Sequence, residues 1–390
     1  MSDPRKKKLV QTVLNLHPEG GKGLGDSRSP YFAQRQRLQN DNMTASSLQN
    51  DSQDTMDDIQ LTPTVLQSQE SYNNTITDSS YDLYHKRAIQ ASRKSLSSIA
   101  AETTTLLPNI LATAPHAPPK GYLYAPPNPP HLGRRFCPNL PPTAIRLHDA
   151  DTFDTAIGLA NCAKYITIQD KKPVCVLNMA NAYIAGGGWK HGALAQEEAL
   201  CYRSSLSFTL KRRYYPIPEM GAIYSPTVVV IRENMDEGEH KLLDLSRPDK
   251  LPVVSVVSVA ALCLPAVENR EVPGLGAREV YKDPADREIM KEKIRVVLRT
   301  AAVNQHRRLV LGALGCGAFA NPREEVADCW AEVFLEREFS GGWWESVIFA
   351  VMDDRGEGED GDGNFDDVDM KPGECEISMN IERPNHGGDL

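Results

Sequence analysis

The feature that most restricts what this chain can fold into is an alternation, from Ala144 onward, of short Val- and Ile-rich runs with stretches of helical length. The runs Val174–Leu177, Thr227–Ile231, Val253–Val259, Leu309–Leu311 and Val347–Val351 are apolar at nearly every position rather than at every second one. Strands buried on both faces have that pattern, and both faces are buried where helices cover the two sides of a sheet. Between them, Phe153–Gln169, Ala195–Arg212, Pro284–Val303 and Pro322–Phe339 have helical length and spacing. The expectation is an α/β domain over residues 144–352, with a largely parallel or mixed sheet between helices. In open sheets of this kind ligands bind beyond the carboxyl ends of the strands, so the loops that leave strands are the places to search.

The rest of the chain reads differently. Residues 1–80 are rich in Ser, Asn, Gln, Asp and Thr with few aromatics, a composition that buries too little surface to offset chain entropy, and are expected to be disordered. Residues 81–143 are expected to be a helical extension followed by a connector. Ile89, Ser92, Leu96, Ile99, Ala100 and Thr103 form a modest stripe at helical period, and Pro108–Pro142 reads as an extended tether over the domain surface. Residues 353–390 are expected to be a disordered acidic tail. Nine Asp or Glu against Arg355 alone, through Asp369, account for most of the formal net charge of −9, so that charge says little about the folded domain.

Eight scattered cysteines with no C-x-x-C pair indicate neither a zinc site nor a disulfide framework. Reduced thiols in cytosol or nucleus fit best. The longest apolar run, Val253–Leu264, is too short for a bilayer of about 30 Å, so a soluble protein is expected. Three weaker signals are set aside. Lys6–Lys8 is a short basic cluster of a common kind. Asp360-Gly-Asp362-Gly-Asn364 opens like a calcium loop, but Phe365 stands where Gly is needed and Lys371 where Glu is needed. Lys211-Arg212-Arg213-Tyr214-Tyr215 is read as complementing a helix C-terminus, and direct nucleic-acid binding is not indicated.

Two loops can carry chemistry. The first follows the Val174 run: Asn178 and Asn181 offer amides, Gly186-Gly187-Gly188 permits close backbone approach, and Gln196-Glu197-Glu198 opens the next helix. Taken alone, glutamates in a first helical turn merely complement the dipole. Successive helical residues stand about 100° apart, so the two are expected to point differently and to do different jobs. The second loop, Gly312–Pro322, lies between a strand and a helical pattern, where backbone N–H groups can cradle a diphosphate. It lacks the third glycine of a dinucleotide fingerprint and the Lys of a P-loop. Cys316 reads as a small buried residue rather than a nucleophile, and Phe319 can pack on a ribose or fill core space.

Together, Asn181-x4-Gly186-Gly187-Gly188, Gln196-Glu197-Glu198 and Gly315-Cys316-Gly317-Ala318-Phe319 resemble the microbial-type poly(ADP-ribose) glycohydrolases. The resemblance runs from about Tyr84 to Met352 and includes Ile99-Ala-Ala-Glu102-Thr103, similar to the helical extension of that family. It implies a three-layer α/β/α macrodomain-like fold with a mixed central sheet. Glu198 would be the catalytic acid, and Glu197 and Asn181 would hold the terminal ribose. Gly186–Gly188 would lie on one side of the diphosphate of ADP-ribose and Gly315, Cys316, Gly317 and Ala318 on the other, with Phe319 against the ribose near the scissile bond and Gln196 completing the binding signature. One departure is Ala185, where bacterial members often carry Pro.

The implied reaction is hydrolysis of ribose–ribose glycosidic bonds, releasing ADP-ribose from poly(ADP-ribose), by a monomer with no metal or cofactor. An acid that protonates the leaving hydroxyl must hold its proton near neutral pH, which burial or the neighbouring Glu197 would favour for Glu198. Two alternatives stay open: a non-catalytic ADP-ribose reader, which has no use for two glutamates, and a hydrolase of mono-ADP-ribosylated protein or free ADP-ribose derivatives.

Overall fold

The computed structural model describes residues 79–141, 143, 145–161, 172–235, 240–272, 276–352 and 375–377. The expectations for residues 1–78, for Lys6–Lys8 and for the calcium-like segment lie outside these residues. From Ile89 onward the chain forms one compact unit.

The elements in chain order are helix α1 (Ser79–Ala112), β1 (Tyr122–Tyr124), β2 (Ile145–His148), α2 (Thr152–Asn161), β3 (Cys175–Met179), α3 (Gln196–Arg203), the single turn α4 (Leu206–Thr209), β4 (Ala222–Val229), β5 (Val253–Val259), β6 (Val267–Val272), β7 (Gly276–Tyr281), α5 (Pro284–Val303), β8 (Arg308–Leu311), α6 (Arg323–Leu335), β9 (Ser346–Ala350) and β10 (Cys375–Ile377). Eight strands form one mixed sheet in the order β1-β4-β5-β3-β8-β9-β2-β10, and β6 and β7 form a separate ribbon. The five strands from β5 to β2 are mutually parallel, while β1, β4 and β10 join antiparallel.

Alternation along the strands sorts the side chains into two cores. Cys175, Leu177, Val257, Val259, Leu309 and Leu311 face one side, against Ile294, Val297 and Leu298 of α5 and Val326, Trp330 and Phe334 of α6. Val174, Val176, Val254, Val256 and Val310 face the other, against Phe153 and Ala156 of α2, Leu200 and Tyr202 of α3, and Leu96 and Ala100 of α1. The result is the expected three-layer α/β/α arrangement, and each fully buried Leu or Val contributes about 1.5–3 kcal/mol to it. Helix α5 starts where Asp283 caps Ala285 N at 2.9 Å and Pro284 occupies the first turn.

Several expectations change. The helix expected over Ala195–Arg212 breaks after Arg203, because Ser204 Oγ donates to Leu200 O and Ser205 is drawn to the sheet, its N–H on Val229 O and its Oγ accepting from Val229 N. Lys211 therefore follows a short turn rather than ending a helix, and donates to Phe208 O at 2.6 Å. The helix expected from Phe153 to Gln169 is described from Thr152 to Asn161 only. The Pro-rich tether contains β1, which pairs with Ala222–Tyr224 and extends the sheet. Within the acidic tail, β10 pairs with β2. Strand β4 begins at Ala222 rather than Thr227, and its register shifts between Ser225 and Val228 around Pro226, which has no N–H to give the ladder.

Candidate active site

Strands β3 and β8 are parallel neighbours, so the two glycine loops that follow them leave the same edge of the sheet side by side. The loop after β5, also parallel to β3, joins them there.

In the first loop, Asn181 Oδ1 accepts the N–H of Tyr183 at 2.8 Å and of Ile184 at 3.0 Å, which turns the chain sharply. Gly186 and Gly187 follow with φ of 76° and 58°, a region that disfavours side chains. Space demands glycine too. A Cβ on Gly186 would lie 2.8 Å from Trp189 Cδ1 and 3.0 Å from Cys201 Sγ, and one on Gly187 would overlap Glu198 Oε1 and lie 3.3 Å from Glu197 Oε2. Both carboxylates thus converge on Gly187, although 100° of helical rotation separates their Cα–Cβ bonds. Long side chains close the angle that backbone geometry opens.

Both glutamates are buried, Glu197 at 3% exposure and Glu198 at 9%. Glu197 has both oxygens engaged: Oε1 accepts from Asn178 Nδ2 at 3.2 Å and Oε2 from Asn181 N at 2.7 Å. Burial pushes its pKa up to about 8, against those hydrogen bonds and with a further upward push from Glu198. Glu198 has one hydrogen-bond partner among the described residues, Gly188 N, which donates to Oε1 at 2.9 Å. Asn178 is fully buried and also donates to Ser258 Oγ at 3.0 Å, so it braces Glu197 instead of facing a ligand. Gln196 is equally committed. Its Oε1 accepts from Met179 N, and its Nε2 donates to Leu177 O at 2.8 Å and Thr152 Oγ1 at 3.3 Å, stitching α3 to the end of β3.

The N–H groups of Gly187, Gly188 and Trp189 all bond inward, to Ile184 O, Glu198 Oε1 and Gly186 O. The second loop differs. Asn321, buried at 2%, donates through Nδ2 to Leu262 O and Gly315 O, while its Oδ1 accepts from Tyr281 Oη at 2.9 Å. That frame holds Gly315 at φ 78° and leaves the N–H groups of Gly317, Ala318 and Phe319 without a bond among the described residues. Gly317 and Ala318 are exposed, and a Cβ on Gly317 would meet nothing within 4 Å. Phe319 is half-buried, packed against the core, and its carbonyl accepts from Leu264 N. Burial pushes the Cys316 thiol up to about 12, which keeps it protonated and unreactive. Cys137, Cys175, Cys201, Cys263, Cys316 and Cys329 are free thiols.

Helix α1 reaches the site from behind. Tyr202 Oη bonds the carbonyls of Trp189 and Ala193, both at 2.7 Å, and its own carbonyl accepts from Thr103 Oγ1 of α1 at 3.0 Å. Gly192, at φ 78°, packs so closely on Arg93 that a Cβ would overlap the Arg93 carbonyl. Sequence reasoning had no role for Asn321, Tyr281, Tyr202 or Ser258. Each acts through contacts distant in sequence, and only the position of Asn321 at the end of the glycine loop was visible.

Comparison with known proteins agrees with this arrangement. A model of the microbial-type PARG catalytic domain matches residues 74–233, a span that includes α1, the triple glycine and both glutamates, while the second loop lies beyond it. The poly(ADP-ribose) glycohydrolase of Thermomonospora curvata is 28% identical, with a TM-score of 0.51 over 66% of this chain and 93% of its own. Residues 74–233 thus match the microbial-type PARG catalytic domain, and the chain is similar to a solved enzyme of that kind.

Other solved structures of such enzymes resemble it more loosely. The Thermomonospora curvata enzyme bound to the inhibitor ADP-HPD is 28% identical with a TM-score of 0.49, over 66% of this chain and 93% of that one. The Deinococcus radiodurans enzyme in complex with ADP-ribose is 28% identical with a TM-score of 0.45, over 60% of this chain and 88% of that one. No curated protein matches the sequence. The domain match and the Thermomonospora curvata likeness support a glycoside hydrolase of the PARG type. Among the described residues no helix is long and apolar enough to cross a membrane, and no group of three or more His, Cys, Asp or Glu gathers as metal ligands would.

Proposed function

We propose that this chain hydrolyses the ribose–ribose bond of poly(ADP-ribose), with Glu198 as general acid and then general base. The observation that carries this assignment is the unequal engagement of the two buried carboxylates. Glu197 has both oxygens bonded within the protein, whereas Glu198 keeps Oε2 without a partner among the described residues. An acid must present an oxygen to the leaving hydroxyl, and only Glu198 has one to present.

Glu197, protonated at neutral pH by its burial, removes the repulsion that two adjacent carboxylates would otherwise suffer and positions the terminal ribose together with Asn181. The N–H groups of Gly317, Ala318 and Phe319 supply donors to the diphosphate, and Gly186–Gly188 lets it approach the opposite wall. As the glycosidic bond breaks, positive charge grows on the anomeric carbon and the leaving oxygen takes a proton from Glu198, which next removes one from water. The resemblance to a relative described as a poly(ADP-ribose) glycohydrolase supports the same substrate.

The test is Glu198→Gln. With polymer as substrate, release of ADP-ribose should fall at least about 100-fold, the range expected for loss of an acid–base group, while calorimetry still detects ADP-ribose binding. Undiminished turnover would remove Glu198 from the mechanism. Measuring release from mono-ADP-ribosylated protein in parallel separates this activity from the alternative hydrolase reading.

A further inference from the structure

The turn that follows the triple glycine separates its side chains by chemistry. In Trp189-Lys190-His191, Trp189 is buried at 2% exposure while Lys190 and His191 are exposed. The next residue, Gly192, lies against α1, where an added Cβ would sit 2.6 Å from the Arg93 Cα. Arg93 and Lys94 are exposed as well. Two pairs of basic residues, one on α1 and one on the loop, are therefore brought together within a few residues of Gly186–Gly188.

Several cations of the folded unit are paired with carboxylates. Arg203 pairs with Asp151 and Asp154, Arg232 with Glu102, and Arg299 with Glu292 and Glu338. None of Arg93, Lys94, Lys190 and His191 has an ion-pair partner among the described residues. The Arg93, Lys94 and Lys190 cations, left solvated on adjoining backbone segments, raise the local potential and attract a polyanion.

We propose that Arg93, Lys94, Lys190 and His191 form a basic tract that holds the diphosphates of poly(ADP-ribose) units outside the cleavage site. This rests on the reading of the chain as a poly(ADP-ribose) hydrolase. Every repeat of that polymer brings a diphosphate, so a tract contiguous with the loop that receives one unit meets the charge of another. It favours long polymer over short substrates by binding more of it. The contacts are exposed and electrostatic, so they weaken as salt displaces them.

The experiment compares the full chain with Lys94→Glu/Lys190→Glu and with Lys94→Arg/Lys190→Arg, using long polymer and the ADP-ribose dimer as substrates, at low and high salt. For the charge reversal, kcat/KM on long polymer should fall about tenfold at low salt and approach wild type at high salt. The dimer should be cut at the wild-type rate, and the arginine variant should behave as wild type on both. An equal loss on dimer and polymer, or no loss on polymer, overturns the tract. So does competition by single-stranded DNA of matched charge as effective as that of the polymer, which would make the tract a general nucleic-acid surface. Direct titration with end-labelled polymer keeps the two proposals apart. If the wild type cleaves nothing, polymer affinity lost in the charge reversal still upholds the tract, and unchanged affinity rejects it.

Discussion

Glu197 shows how one residue links the chemistry of the site to the stability of the fold. Its carboxyl is nearly sealed from water and burial raises its pKa from the ordinary 4.5 to about 8. The folded state therefore favours the protonated form, while the unfolded chain gives up that proton near its ordinary value. The stabilising contribution is complete below about pH 4.5 and is lost as pH rises toward 8. Glu197→Gln keeps a neutral side chain of the same shape at every pH and removes this dependence. Urea denaturation between pH 5 and 8.5 should show wild type losing stability relative to the variant by on the order of a few kcal/mol. Parallel profiles for the two proteins would mean that Glu197 is ionised throughout. That neutral carboxyl lay beyond sequence reading, which located both glutamates and expected a raised proton affinity on Glu198. Adjacent positions in a helix do not reveal which carboxylate the Asn178 and Asn181 contacts will enclose.

At the scale of elements, the site is a product of strand order. The loops after β3 and β8 are more than a hundred residues apart in sequence, yet their strands pair in parallel, with Cys175 opposite Leu309. The alternation of apolar runs made the sheet legible, and the glycines made each loop legible. Strand adjacency was reachable only through resemblance. Short or polar elements escaped: β1 has three residues among prolines, and the β6–β7 ribbon presents Glu268, Asn269 and Arg270 in place of an apolar run. The ribbon nonetheless matters, because its last residue, Tyr281, fixes Asn321 under the second loop. Two glycines in that loop should respond differently to alanine. At Gly315 the φ of 78° and an Ala261 Cβ only 2.5 Å from the added atom predict destabilisation of about 1–3 kcal/mol. At Gly317 the added methyl meets only open space. If that space receives the diphosphate, Gly317→Ala should keep the wild-type Tm and raise KM severalfold. An unchanged KM would take the second loop out of substrate binding.

On the scale of the whole molecule, helix α1 from Ile89 onward is part of the same compact unit as the sheet and not an appendage to it. Leu96 and Ala100 lie in the same core as Trp189, Tyr202 and the strands β3 and β5. Further along α1, Leu107 and Ile110 pack with Val229, Ile231 and Leu251 near the end of β4. Polar contacts repeat the attachment: Thr103 bonds the Tyr202 carbonyl, and Glu102 meets the buried Arg232 at 2.6 Å. Tyr202 in turn holds both ends of the turn that follows the triple glycine, so α1 supports that loop through one intermediate side chain. Truncation should therefore act as a step. A chain starting at Ser79 loses only the polar, apolar-poor segment and should keep full polymer hydrolysis. A chain starting at Thr113 loses the helix, exposes the apolar surface it covers, and deprives Arg232 of its Glu102 and Thr103 partners. That protein should aggregate or fail to turn over polymer, and adding α1 back as a separate peptide should restore part of the activity. Full activity in the chain starting at Thr113 would show that the triple-glycine loop holds its shape without the helix.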